Sequence, residues 1–173
     1  MDDVFVEKLV TRKLGGKELA VKLGAIALVL VLGVVAFLVP VLQMVAPIIL
    51  VGAGWLGWMA WSRSSVEYEY SLSNGELTID GIFGQQKRKS VITVSLRERM
   101  EFMAPVSNDY SDELNRTVSK TMDVSSASNA PGRWFMNVKG ESGLIRIFFE
   151  PDEKLASAMR RAAPSKVKGL TQG

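Results

Sequence analysis

KLGAIALVLVLGVVAFLVPVLQMVAPIILVGAGWLGWMAWSR, residues Lys22–Arg63, carries charge only at its two ends. Pro40, Gln43 and Pro47 interrupt the apolar run near its middle. Continued as one helix, Leu23–Trp61 would extend about 58 Å, nearly twice the roughly 30 Å hydrocarbon core of a bilayer. Folded back at the prolines, it gives two segments of spanning length, Leu23–Val39 and Met44–Trp61. A turn exposed to lipid would leave backbone groups unpaired, so the turn belongs at the far interface. The pattern predicts a two-helix transmembrane hairpin within residues 17–63.

The flanking charges orient it. Lys8, Arg12, Lys13, Lys17 and Lys22 precede the first segment, Arg63 follows the second, and the turn has none. By the positive-inside tendency both termini face the cytoplasm, which predicts a multi-pass protein of the plasma membrane. The lack of cysteine agrees with a reducing compartment. The apolar stretch starts too late and runs too long for a cleavable signal peptide. Ahead of it, Phe5, Val6, Leu9, Val10 and Leu14 fall at helical spacing with charged residues mostly opposite. Residues 1–16 therefore read as an interfacial basic segment, either a short amphipathic helix or a partly ordered tail.

Small residues recur within the spans. Ala20, Gly24 and Ala27 share one helical face, and Ala53, Gly57 and Ala60 share another. Such faces let helix backbones approach closely, within the hairpin or between subunits in a self-association. Gly52-Ala53-Gly54-Trp55-Leu56-Gly57 matches the dinucleotide fingerprint in letters, but the strand and glycine turn it requires are missing. Trp55, Trp58 and Trp61 suit the cytoplasmic interface.

From Val66 the period changes to two. Tyr68, Tyr70 and Leu72 alternate with Glu67, Glu69 and Ser71, and Asn74-Gly75 is a strong hairpin signal. A two-residue loop there sets Leu72 opposite Leu77, Tyr70 opposite Ile79 and Glu69 opposite Asp80. Further strands are expected over Gln85–Ser95, Arg99–Met103, Lys120–Val124, Arg133–Val138 and Leu144–Phe149, with irregular chain at Ala104–Ser119. Pro151 and Pro164 bracket a helix at about 151–163, with Asp152 and Glu153 early and Arg160 and Arg161 late, complementing its dipole. Leu72, Ile79, Phe148 and Leu155 are the expected core. Residues 64–164 thus form a cytoplasmic domain of six or seven antiparallel strands and one capping helix, and 165–173 a flexible tail.

Three stretches carry a resemblance. They are Tyr68-Glu69-Tyr70-Ser71-Leu72-Ser73-Asn74-Gly75-Glu76-Leu77-Thr78-Ile79, Lys87-Arg88-Lys89, and Arg146-Ile147-Phe148-Phe149-Glu150-Pro151 before a helix. The domain resembles bacterial pleckstrin-homology-like (PH-like) domains. The whole chain, with its Asp2-Asp3-Val4-Phe5-Val6-Glu7 start, looks like an uncharacterised family of small two-span bacterial membrane proteins. The resemblance implies an α+β membrane protein: the hairpin, then a bent antiparallel barrel or sandwich capped by a C-terminal helix, with a binding or scaffolding role.

Composition narrows the chemistry. The chain has no histidine and no cysteine, so the commonest general base, zinc ligands and thiol nucleophile are missing. No enzyme activity, cofactor or metal is expected. Residues 64–173 hold fifteen basic and fourteen acidic side chains, too balanced for a nucleic-acid domain. Glu67, Glu69, Glu76 and Asp80 are expected on a solvated hairpin face. Lys87, Arg88 and Lys89 form the densest basic run of the domain, and are expected either to contact lipid headgroups or a partner, or to keep an edge strand soluble. The function so implied is a membrane-tethered module binding protein or lipid headgroups at the inner surface. The alternative is an accessory or assembly subunit of a larger membrane complex, with an unknown protein partner contacted through the spans.

Overall fold

The computed structural model describes residues 5–13, 15–63, 66–84 and 86–170. Three helices follow the first strand: α1 (Gly16–Leu38), the single turn α2 (Pro40–Gln43) and α3 (Ala46–Arg63). Proline fits the start of α2, where its missing N–H costs nothing. Gln43, the polar residue of the run, donates to the Phe37 carbonyl (3.0 Å) and so satisfies an acceptor near the end of α1.

α1 and α3 pack together through small residues. Ala36, Ala46 and Ala53 are buried. A Cβ on Gly33 would lie 3.3 Å from the Leu50 side chain, so Gly33 marks close approach, and one on Gly57 would make an ordinary contact with Val29 at 3.6 Å. The second expected small face therefore lies in the contact at Ala53 and Gly57; the side chain of Ala60 lies outside the described residues. The first does not: Ala20, Gly24 and Ala27 are exposed and point away from α3. Ala25, Val29, Gly33 and Ala36 repeat at the same helical spacing, and the short connection through α2 rotates this second stripe toward α3.

Among the described residues, eight strands form two four-stranded sheets, ordered β1-β2-β3-β4 and β5-β7-β8-β6. The first contains β1 (Val6–Thr11), β2 (Val66–Ser73), β3 (Glu76–Phe83) and β4 (Lys87–Ser95). The second contains β5 (Met100–Pro105), β6 (Lys120–Asp123), β7 (Trp134–Gly140) and β8 (Gly143–Phe149). The Asn74-Gly75 hairpin has the anticipated register, Leu72 with Leu77, Tyr70 with Ile79 and Glu69 with Asp80. Its two turn residues take φ of 51° and 80°, the left-handed pair that a two-residue hairpin loop requires.

Strand β1 overturns the reading of residues 1–16 as an interfacial segment: Val6–Thr11 pairs antiparallel with β2, Val6 with Leu72 through Thr11 with Glu67. Val6 and Val10 are buried in the core, while Phe5 and Leu9 are exposed. A spacing of four satisfies both helical and strand periods, so the apolar residues alone could not decide; a vacant edge on β2 did. Residues 1–4 and Leu14, part of that expected segment, lie outside the described residues.

The helices α1–α3 are thus an insertion in the β1–β2 connection. Among the described residues, the folded domain comprises 5–13, 66–84 and 86–170, wider than the expected 64–164. Residues 165–170 are also docked: Val167 is buried against Met103, and the Lys168 N–H donates to the Met103 carbonyl (2.8 Å). The 171–173 end of the expected tail lies outside the described residues.

One apolar cluster joins the sheets, with Tyr70, Leu77 and Ile79 from one, Met136, Ile147 and Phe149 from the other, and Leu155 and Met159 from helix α5 (Glu153–Ala162). Asp152 caps α5 by accepting from the Leu155 N–H (2.8 Å). Phe149, not Phe148, is the core aromatic of β8; Phe148 is half-buried with the Arg133 guanidinium 3.8 Å over its ring. The stretch 104–119 is more ordered than expected, with a 3₁₀ turn at Asn108–Tyr110 and a short helix α4 (Ser111–Asn115). β6 pairs parallel with β8, a departure from an all-antiparallel domain.

Candidate functional site

The register of the first sheet gathers one end of the domain. Val66 pairs with Phe83, and Phe83 with Lys87. The Arg12 N–H donates to the Val66 carbonyl (2.9 Å), so the chain leaves β1 for α1 beside the point where it re-enters β2 from α3. The β3–β4 turn and its basic run consequently sit at the sheet end to which both helices attach.

Strand geometry then divides the expected site. Lys87, Arg88 and Lys89 open the edge strand β4, and all three are exposed. Successive side chains point to opposite faces. Arg88 lies on the face of Glu69 and ion-pairs with it across β3, while Lys87 and Lys89 project from the other face. The three do not form one basic surface; two lysines do, beside the half-exposed Phe83. The β-bulge between the Ile79 and Asp80 pairings makes Val91 an extra residue and shifts this end of β4 relative to β3.

The acidic face also differs from expectation. Glu69 is buried rather than solvated, covered by β1 on one side and Arg88 on the other. Its carboxyl pKa is raised, first by burial and then by a hydrogen bond with Glu7, against the opposing pull of Arg88. Asp80, paired directly opposite, is half-buried, and its Oδ1 is buried without a hydrogen-bond partner. Among the described residues, no cluster of acidic side chains could hold a metal ion.

Two polar centres were not anticipated. Tyr70, fully buried, donates its hydroxyl to the Val124 carbonyl (2.5 Å) and meets Phe149 edge-on at 5.8 Å, tying the two sheets together. Burial raises its phenol pKa. Arg146 is also buried: its Nε donates to Asn137 Oδ1 (3.2 Å), and its Nη2 to the carbonyls of Glu113 (3.0 Å) and Arg116 (2.8 Å). It therefore pins α4 to the second sheet, and burial lowers its pKa. An arginine inside the apolar strand Leu144-Ile145-Arg146-Ile147 was the available signal.

The helical insertion has its own limit. α1 holds a stretch, Leu19–Leu38, long and apolar enough to cross a membrane, while the apolar part of α3, Ala46–Met59, is shorter. Gly52, Gly54 and Gly57 sit inside α3, which removes any glycine-turn reading of that motif.

Among families of known proteins, the one described as Bacterial PH-like domain (DUF6106) matches residues 2–169. No curated protein and no solved structure matches the chain. The chain belongs to that bacterial PH-like family.

Proposed function

We propose that this PH-like chain is a non-enzymatic interaction module tethered to the inner face of the plasma membrane by α1 and α3, with both termini cytoplasmic. A PH-like domain suggests a binding module in general. The carrying observation is that the helices leave and re-enter the domain between two directly paired strands. An excursion that starts and ends at one end of the same sheet crosses a bilayer an even number of times. α3, 18 residues, is about 27 Å long, close to the hydrocarbon thickness. Lys87 and Lys89 then face the membrane surface or an acidic partner held there.

The test uses a chain in which residues 14–65 are replaced by a short Gly/Ser linker, so that vesicle binding is not dominated by the spans. Each lysine near an anionic surface contributes about 1 kcal/mol. Changing both to Gln should weaken co-sedimentation with anionic vesicles roughly 30-fold, and salt should weaken the parent's binding. Equal binding by parent and variant would leave Lys87 and Lys89 as charges that keep edge strand β4 soluble.

A second reading, an accessory subunit of a membrane complex or of a self-assembly, is favoured by the outward-facing Ala20, Gly24 and Ala27 on α1. Replacing α1–α3 by an unrelated apolar hairpin separates the two: lost co-purification of partners favours the subunit, and retained co-purification the module.

A further inference from the structure

An apolar cleft of about 470 Å³ opens between α1 and α3 at the ends nearest the domain. Ala25, Ile26, Val29, Gly54, Gly57 and Trp58 line it, and at its mouth stands one cation, Lys22. That volume falls in the usual range of about 300–1,000 Å³ for small-molecule sites. Gly54 leaves the hollow on the α3 side, next to the Gly57–Val29 contact. A Cβ on Gly54 would meet nothing within 4 Å, so the space is open.

Lys22 is 6% exposed, and its Nζ lies 4.4 Å above the Trp61 ring. A cation–π contact stabilises an ammonium, but it supplies no acceptor for the three N–H groups. A phosphate oxygen would supply one, as a charge-assisted hydrogen bond. The cleft thus pairs an aliphatic slot with a cation at one end, and Trp58 and Trp61 flank that end at interfacial depth. Basic pockets between membrane helices on the cytoplasmic side suit anionic headgroups.

We propose that this cleft binds one anionic glycerophospholipid, an acyl chain between α1 and α3 and the headgroup phosphate on Lys22. The inference rests on both helices being in the membrane, as proposed above. It assigns the helical insertion a ligand of its own, separate from the lysines of β4.

The full chain is reconstituted into nanodiscs containing equal phosphatidylglycerol and phosphatidylcholine, and lipid retained after mild detergent release is counted by native mass spectrometry. One phosphatidylglycerol per chain should be retained, with roughly tenfold preference over phosphatidylcholine. Lys22→Gln should abolish the preference and Lys22→Arg keep it. Gly54→Leu should displace the lipid by filling the slot, whereas Gly52→Leu, on an exposed part of α3 outside the cleft lining, should not. No anionic preference in the parent, an unchanged preference in Lys22→Gln, or equal losses in the two leucine variants would overturn the site. So would a parent found as dimers that carry no lipid, since a second copy would then fill the cleft. Alkaline-carbonate extraction of the parent separates the two levels: a chain that stays in the membrane but selects no lipid loses this site alone, and one that washes out loses the tether as well.

Discussion

The pairing of Val6–Thr11 with β2 makes a prediction in which neighbouring residues should behave oppositely. Val10 is buried at 6% exposure and Leu9 is 53% exposed. Val10→Ala removes two methyl groups from a packed site. At about 0.8 kcal/mol per carbon, with a further contribution from the cavity left behind, the cost is about 2 kcal/mol. Leu9→Ala deletes more carbon but changes little that is buried, and should stay within about 0.5 kcal/mol. The measurement uses residues 5–13 joined to 66–170 by a short Gly/Ser linker, which leaves Trp134 as the sole tryptophan of the four in the chain. Urea unfolding followed by its fluorescence gives the stabilities, and Val10→Ala should lower the melting temperature by roughly 10 °C. In the intact chain, slow amide exchange across Val6–Thr11 is the corresponding observation. Equal costs at Leu9 and Val10, or fast exchange there, would refute the strand and restore a surface segment.

Tyr70→Phe keeps the ring against Phe149 but strands the buried Val124 carbonyl, and should cost about 2 kcal/mol, read as a lower urea midpoint with an unchanged slope. Glu69 should give the domain a distinctive pH dependence. Its pKa in the folded state is raised above the ordinary 4.5, so its contribution is full below that value and is lost as pH rises through the raised pKa. The stability of the parent relative to Glu69→Gln should therefore increase as pH falls from neutral toward about 4.5. A difference that grew with rising pH would mean that Arg88 outweighs burial.

The early hairpin was legible because its information is local. Asn74-Gly75 tolerates the positive φ of the turn, and the two-residue loop then dictates every pair from Ser73–Glu76 to Glu69–Asp80. The helix after Pro151 was legible for the same reason, since its cap and its terminal charges lie within the segment. The basic run was visible as composition, but its division was not: alternation across β4 sends Arg88 to Glu69 and leaves Lys87 and Lys89 on the other face. Phe148 and Phe149 were equally apolar neighbours, and only the face that β8 presents to the opposing sheet makes Phe149 the core residue.

What the sequence by itself determined is what short-range chemistry controls: an uncharged stretch broken at its prolines, a strand period from Val66, a turn at Asn74-Gly75 and a capped helix near the C-terminus. What only the tertiary structure decided depends on partners distant in the chain. Val6 and Val10 suit helix and strand alike until β2, some sixty residues later, offers an edge with unpaired backbone groups. Ala20, Gly24 and Ala27 are as small as Ala25, Gly33 and Ala36, and the choice between the stripes rests on how a short turn rotates α1 against α3. Burial of Glu69 and Arg146 likewise follows from what lies across the sheet, because a charged side chain is tolerated inside only where distant atoms supply its hydrogen bonds.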